Sequence, residues 1–279
     1  MFDLHSHILP GVDDGAADVG VALGMARRFA EDGVQVVACT PHILPGLYGN
    51  SGPDIREAVA RLQTHIREAG IDLKLVSGAD NHIAPDFVQG LRSGRLLSLN
   101  DSRYVLMEPP HHVAPQGLEA LFFSVIMAGY VPVLTHPERL SWIENKYELI
   151  RTLAGRGVWM QITAGSLLGS VGRRPRYWAE RMVSEGLVHI LATDAHDEVR
   201  RPPALREGRL AAERLVGAIE AEHLVVTRPA AILADTPPNL QPSPGSLVQS
   251  KGLDAGDENL ETSRNARGGG AWRLRSYFR

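Results

Sequence analysis

Apolar positions along this chain repeat a two-part pattern: a stripe at helical spacing, then a short run with almost no polar alternation. From Val19 to Asp32 the stripe is Ala22, Leu23, Ala26, Phe29 and Ala30, with Asp18 placed to cap its start and Gly33 to stop it. The run Val34 to Cys39 follows and reads as a strand buried on both faces. A second stripe, Ile55, Ala58, Val59, Leu62, Ile66 and Ala69, opens at Asp54 with Glu57 three residues on, closes at Gly70 and leads into the strand Leu73 to Ser77. The strand Tyr104 to Met107, the helix Gly117 to Ala128 and the strands Val131 to Thr135, Val158 to Ile162 and Val188 to Thr193 continue the series. About seven β-α units in one stretch predict a closed parallel α/β barrel rather than an open sheet. From Pro237 the periodic apolar residues give way to proline, glycine and serine. The expected division is therefore a barrel over 1–236 and a low-complexity, disordered tail over 237–279.

Composition narrows the possibilities further. A chain of 279 residues can bury a full barrel core, and the net charge of -3 gives no pull toward nucleic acid or anionic lipid. The most apolar helical run, Leu118 to Ala128, is too short to cross a bilayer, and no basic segment ahead of a long apolar one marks a secretory signal. A cytoplasmic location is the expectation. The lone cysteine, Cys39, lies inside a strand and reads as a buried small apolar residue. A cysteine-based phosphatase would need an arginine six positions later, where this chain has Pro45.

The candidate chemistry sits at strand ends. His5 and His7 alternate on an extended strand, so both imidazoles face one side, and the turn at Pro10-Gly11 can return Asp13 or Asp14 toward them. His42, Asp80, Glu108, His136, and Asp194 with His196 end successive strands in the same manner. Imidazole together with carboxylate suits manganese, zinc or iron. Arg139 and Arg201 each follow such a residue closely and can offer bidentate donors to a phosphate. His82, His111 and His112 lie in loops where they could shape a substrate mouth. His65 and His223 read as solvated and His189 as a hydrogen-bonded core residue.

Assembled, His5, His7, Asp14, His42, Asp80, Glu108, His136, Asp194 and His196 resemble the nine-ligand signature of the polymerase and histidinol phosphatase (PHP) family. Within it the chain looks most like the bacterial manganese-dependent tyrosine phosphatases of the CpsB/YwqE type. The matches are Asp3 to Leu9, Val12 to Gly15, Asn100 to Tyr104, His136 to Arg139, Asp194 to His196 and Arg201 to Pro203. The resemblance covers roughly residues 1–235 and implies a distorted (β/α)7 barrel of the PHP type. It also implies a cluster of two or three divalent ions, manganese foremost, that lowers the pKa of a bridging water for in-line attack on phosphate. The family usually has glutamate where this chain has Asp80, one methylene shorter, at a position bridging two ions. The implied substrate is a phosphotyrosine-containing protein, a kinase of polysaccharide assembly. Alternatives are a small phosphoester such as histidinol phosphate or a nucleotide, and a barrel that binds phosphoproteins without turnover.

Overall fold

The structure is a computed structural model and describes residues 1–245. Its strands are β1 (Phe2–Ser6), β2 (Val36–Cys39), β3 (His42–Ile43), β4 (Lys74–Ser77), β5 (Asp80–His82), β6 (Tyr104–Glu108), β7 (Val131–Thr135), β8 (Trp159–Thr163) and β9 (Ile190–Ala192). All pair in parallel, in the orders β1-β2-β4 and β3-β5-β6-β7-β8-β9. Strands β2 and β3 form one stave interrupted at Thr40-Pro41, and β4 and β5 another interrupted at Gly78-Ala79, so nine segments make seven staves. The seam between first and last stave is closed by Asp194 N donating to His5 O and His7 N donating to Ala195 O, both at 2.9 Å. The closed seven-stave barrel expected from the β-α repeat is thus observed.

Side-chain alternation sorts the core into two layers. Leu4, Ala38, Val76, Leu106, Val133 and Ile190 cluster with Tyr104 and Trp159 in the barrel interior. The intervening Val37, Cys39, Leu75, Met107, Leu134, Met160 and Leu191 pack outward against the helices. On this alternation Glu108 continues the inward set of Tyr104 and Leu106, Gln161 that of Trp159, and Asp194 that of Ile190.

The helices on the outer face are α1 (Val19–Glu31), α2 (Gly52–Glu68), α3 (Phe87–Arg92), α4 (Leu118–Met127), α5 (Ile143–Gly155), α6 (Ala164–Leu168), α7 (Arg173–Ser184) and α8 (Leu205–Glu222), while α9 (Arg228–Leu233) lies under the barrel, where its Ile232 joins the interior cluster. Asp18 caps α1 as expected, its carboxylate accepting from Val21 N at 2.9 Å. Helix α2 opens earlier than Asp54, at Gly52 with Pro53 in its first turn, and Asp54 instead accepts from the Ser51 hydroxyl. No helix among the described residues is long and apolar enough to cross a membrane.

The barrel floor includes residues on both sides of Pro237. The Tyr104 hydroxyl donates to Thr236 O at 2.6 Å and accepts from Gln241, which is buried. Arg228, fully buried, reaches both oxygens of Glu220 at 2.7 and 2.9 Å and the carbonyls of Pro242, Ser243 and His189. Pro242 and Ser243 are thus tied to the barrel, because this buried guanidinium needs their carbonyls as acceptors. The rest of the expected tail, with its Arg and aromatic end at Trp272 to Arg279, lies outside the described residues.

Candidate metal centre

All nine residues anticipated as ligands converge at the C-terminal mouth of the barrel. Their ligating atoms fall into overlapping sets, each mutually within 4.8 Å: His7, Asp14, His42 and His196; His5, His7 and Asp80; His5, His136 and Asp194; His42, Asp80 and Glu108. The Nε2 atoms of His5 and His7 stand 3.3 Å apart. Asp80 Oδ2 lies 3.5 Å from His5, 3.6 Å from His42 and 3.7 Å from His136, so its short side chain still reaches three imidazoles. Asp14 Oδ1 is 3.5 Å from both His42 and His196.

Backbone geometry aims two of these groups. His136 has φ 32° and Asp194 φ 52°, left-handed values that cost a non-glycine residue roughly 1–3 kcal/mol and collect at functional sites. His136 follows inward-facing Thr135 and would point outward in a continued strand; the left-handed turn before Pro137 redirects it.

A second layer orients the imidazoles. Of the two aspartates in the first turn, Asp14 faces the cluster, whereas Asp13 accepts the His7 Nδ1 proton at 2.7 Å, His42 N at 3.1 Å and Gly15 N at 2.9 Å. Burial opposes charge on His7, yet the adjacent Asp13 carboxylate raises its pKa to about 9. His5 Nδ1 bonds the Gln161 carbonyl oxygen at 2.9 Å, so its proton sits there and Nε2 is left free as a donor to a cation. Asp3 accepts from Thr193 N and His5 N, fixing the seam beside Asp194. Glu138 accepts from Thr163 N and Ser166 Oγ, fixing the turn that carries Arg139.

The orphaned atoms test whether a cation cluster fits. Both Asp80 oxygens, His42 Nδ1, His136 Nδ1 and His196 Nε2 are buried without a hydrogen-bond partner. Burial, and then the neighbouring Glu108 charge, push the Asp80 carboxyl well above its ordinary range. A fully buried carboxylate beside a second carboxylate costs several kcal/mol unless a positive charge meets it. A nitrogen and oxygen donor set around such a carboxylate fits divalent ions.

Asp194 joins this cluster to the arginines. Its Oδ1 is 3.2 Å from His7 and 3.5 Å from His5, while Oδ2 accepts from both Arg139 and Arg201. Burial alone would raise its pKa, but His5 and the two guanidinium groups hold the carboxyl well below the usual range.

Other anticipated residues divide. His111 belongs with the centre, its Nε2 3.1 Å from Glu108 and in one set with His136. His82 lies at the edge, 3.8 Å from Glu108, and His112 is exposed. His65 is exposed on α2, and His189 is held in the fold by accepting from Met160 N. His223 is not simply solvated: it is partly covered, with a buried Nδ1 that lacks a partner. Cys39 packs outward, away from the mouth, and burial raises its thiol far from ionisation. The stretch Asn100 to Tyr104 is part of the floor, where Arg103 pairs with Asp235 at 2.9 Å and Asn100 bonds Leu233 O.

Comparison with known proteins identifies the family. Residues 1–234 match the family model described as capsular polysaccharide synthesis, CpsB/CapC. The tyrosine-protein phosphatase YwqE of Bacillus subtilis is 38% identical over 197 residues, which span 71% of this chain and 78% of that protein. The tyrosine-protein phosphatase CpsB of Streptococcus pneumoniae is 29% identical over 244 residues, 84% of this chain and 99% of that protein. A crystal structure from a study of YwqE and CpsB, described as metal-dependent tyrosine phosphatases, superposes with TM-score 0.83 at 33% identity, covering 88% of this chain and 99% of that one. The chain therefore belongs to the CpsB/CapC family of capsular polysaccharide synthesis.

Proposed function

We propose that this protein is a metal-dependent phosphatase that removes phosphate from phosphotyrosine in proteins. The observation that carries the reading is Asp194, whose one oxygen faces the imidazole cluster and whose other is held by two arginines. Cation-binding and anion-binding groups meet on one carboxylate, as a metal-assisted phosphoester hydrolysis requires. His5, His7, Asp14, His42, Asp80, Glu108, His136, Asp194 and His196 would hold the ions, manganese foremost, with zinc or iron as alternatives. When bound, such ions supply hydroxide near neutral pH and neutralise charge on the phosphoryl oxygens.

The chain's own groups do the rest. Arg139 and Arg201 each spend one donor on Asp194, and the remaining donors of each fork are available to phosphate oxygens. Asp13 and Gln161 hold His7 and His5 with the correct nitrogen inward. A phenol, with pKa near 10, leaves more readily than an alkyl alcohol, so an aryl phosphate depends less on a protein acid. The substrate proposed is the phosphotyrosine of a cytoplasmic segment of a polysaccharide-assembly kinase. The family match to capsular polysaccharide synthesis supports it.

The test uses the purified full chain, with manganese or with chelator, against a phosphotyrosyl peptide, histidinol phosphate and single-stranded DNA ends. The expected result is at least two equivalents of metal and chelator-sensitive hydrolysis that favours the phosphotyrosyl peptide. Preference for histidinol phosphate or DNA ends would reassign the substrate. Turnover that survives chelation would refute the metal chemistry.

A further inference from the structure

Arg139 and Arg201 also line a cavity of about 480 Å³ that runs from them between α6 with its following turn on one side and the 199–204 loop with the start of α8 on the other. That volume is within the roughly 300–1,000 Å³ of small-ligand pockets. Its chemistry is divided. Three arginines, Arg139, Arg200 and Arg201, face it against a single carboxylate, Glu207, so the cavity favours an anion. Leu168, Val171 and Pro202 give it apolar walls, and Val171 is 39% exposed at the rim. An occupant with an anionic head and a flat apolar body satisfies both halves. A short alkyl phosphate such as phosphoserine, with one methylene beyond the ester oxygen, would satisfy only the first.

We propose that this cavity is an aryl subsite of the same centre, receiving the ring of the phosphotyrosyl substrate with its phosphate against Arg139 and Arg201. The assignment rests on the phosphatase function proposed above and goes further: it makes Leu168, Val171 and Pro202 the residues that select an aryl over an alkyl ester. These side chains contact no candidate metal ligand through any hydrogen bond, so their effect is on ring binding alone. Arg200, exposed at the rim, adds a contact for an acidic residue beside the phosphotyrosine.

The test uses two unreactive phosphonates as competitive inhibitors of the manganese-supplemented full chain. Phenylphosphonate carries the ring and methylphosphonate does not. Wild type should bind phenylphosphonate at least tenfold more tightly. Val171→Trp, which fills the rim, should erase that preference by weakening phenylphosphonate tenfold or more while methylphosphonate stays within twofold. Leu168→Asn, which places an uncharged polar group in the apolar wall, should act in the same direction, and thermal melting of both variants controls for folding. Equal binding of the two phosphonates to wild type would overturn the subsite, as would a parallel loss of both, or of neither, in Val171→Trp. If wild type binds neither phosphonate nor inorganic phosphate, it is the phosphatase function itself that fails.

Discussion

Asp13 offers a direct probe of how the centre is held, because it touches a candidate ligand without being one. Its Oδ2 takes the His7 Nδ1 proton at 2.7 Å and His42 N at 3.1 Å, and its Oδ1 takes Gly15 N at 2.9 Å. In Asp13→Asn only one acceptor oxygen remains, so the amide must abandon either Gly15 N or the pair from His7 and His42. Whichever it keeps, His7 loses a charged partner that raises its basicity and fixes its ring. Losing such a partner weakens metal binding by about 10–100-fold, or roughly 1.4–2.7 kcal/mol. The lost bond to Gly15 N or His42 N removes about 1 kcal/mol of folding stability separately. The assay is competition for manganese against a metal-binding dye, with melting of the metal-free protein measured alongside. Metal affinity should fall by at least tenfold while the metal-free protein melts only a few degrees lower. Affinity within twofold of wild type would refute the orienting role assigned to Asp13.

Further outcomes follow from the same geometry. Arg139→Ala and Arg201→Ala should each lower kcat/KM by about a hundredfold, the effect of losing one well-placed donor to a developing anion, with metal content preserved; metal loss equal to the activity loss would place them in the ion cage instead. Asp80→Ala should lose metal as well as turnover, since three imidazoles converge on that carboxylate, and Asp80→Glu should retain both when metal is measured by elemental analysis. His189 has its pKa lowered to about 3 by burial and then by Arg228, and its Nδ1 accepts from Met160 N, which requires the neutral ring. The unfolded chain takes up that proton below about 6.5 and the folded chain does not, so stability is intact above pH 6.5 and falls by about 1.4 kcal/mol per pH unit between there and pH 3. Denaturant melts of metal-free protein at pH 6.5 and 5 should show a drop about 2 kcal/mol smaller in His189→Gln; identical drops would remove His189 from the linkage.

What was legible in the chain and what was not have separate physical reasons. Polar groups ending otherwise apolar strands stand out, which is why His42, Glu108, His136 and Asp194 could be picked out before any coordinates. Asp13 and Asp14 could not be told apart by spacing, because a turn of five residues can present either. Gln161 carries no charge and so draws no attention, although its position two residues after inward-facing Trp159 marked it as pointing into the barrel. Strands β3 and β5 are only two and three residues long and follow Thr40-Pro41 and Gly78-Ala79, so each reads as the loop end of its predecessor. Helices α5, α7 and α8 were obscured because charged residues interrupt their apolar stripes: α7 opens on Arg173 and Arg174 and buries only Trp178, Ala179, Met182 and Val183. The floor was missed because Arg228 and Gln241 are polar residues whose burial depends on partners far apart in sequence.

The seam between β1 and β9 has a consequence for how the protein is made. Four of the nine candidate ligands, His5, His7, Asp194 and His196, stand on its two sides, and the seam's backbone bonds join His5 to Asp194 and His7 to Ala195. A ribosome must therefore release residues up to about His196 before the centre can exist, although His5 and His7 leave the tunnel first. Until then the early histidines and carboxylates are exposed to whatever ions the surroundings offer, without the cage that would select among them. Completion of the nine-residue cluster is in this way postponed to barrel closure, and a chain stalled earlier in translation lacks the Asp194 and His196 side of it.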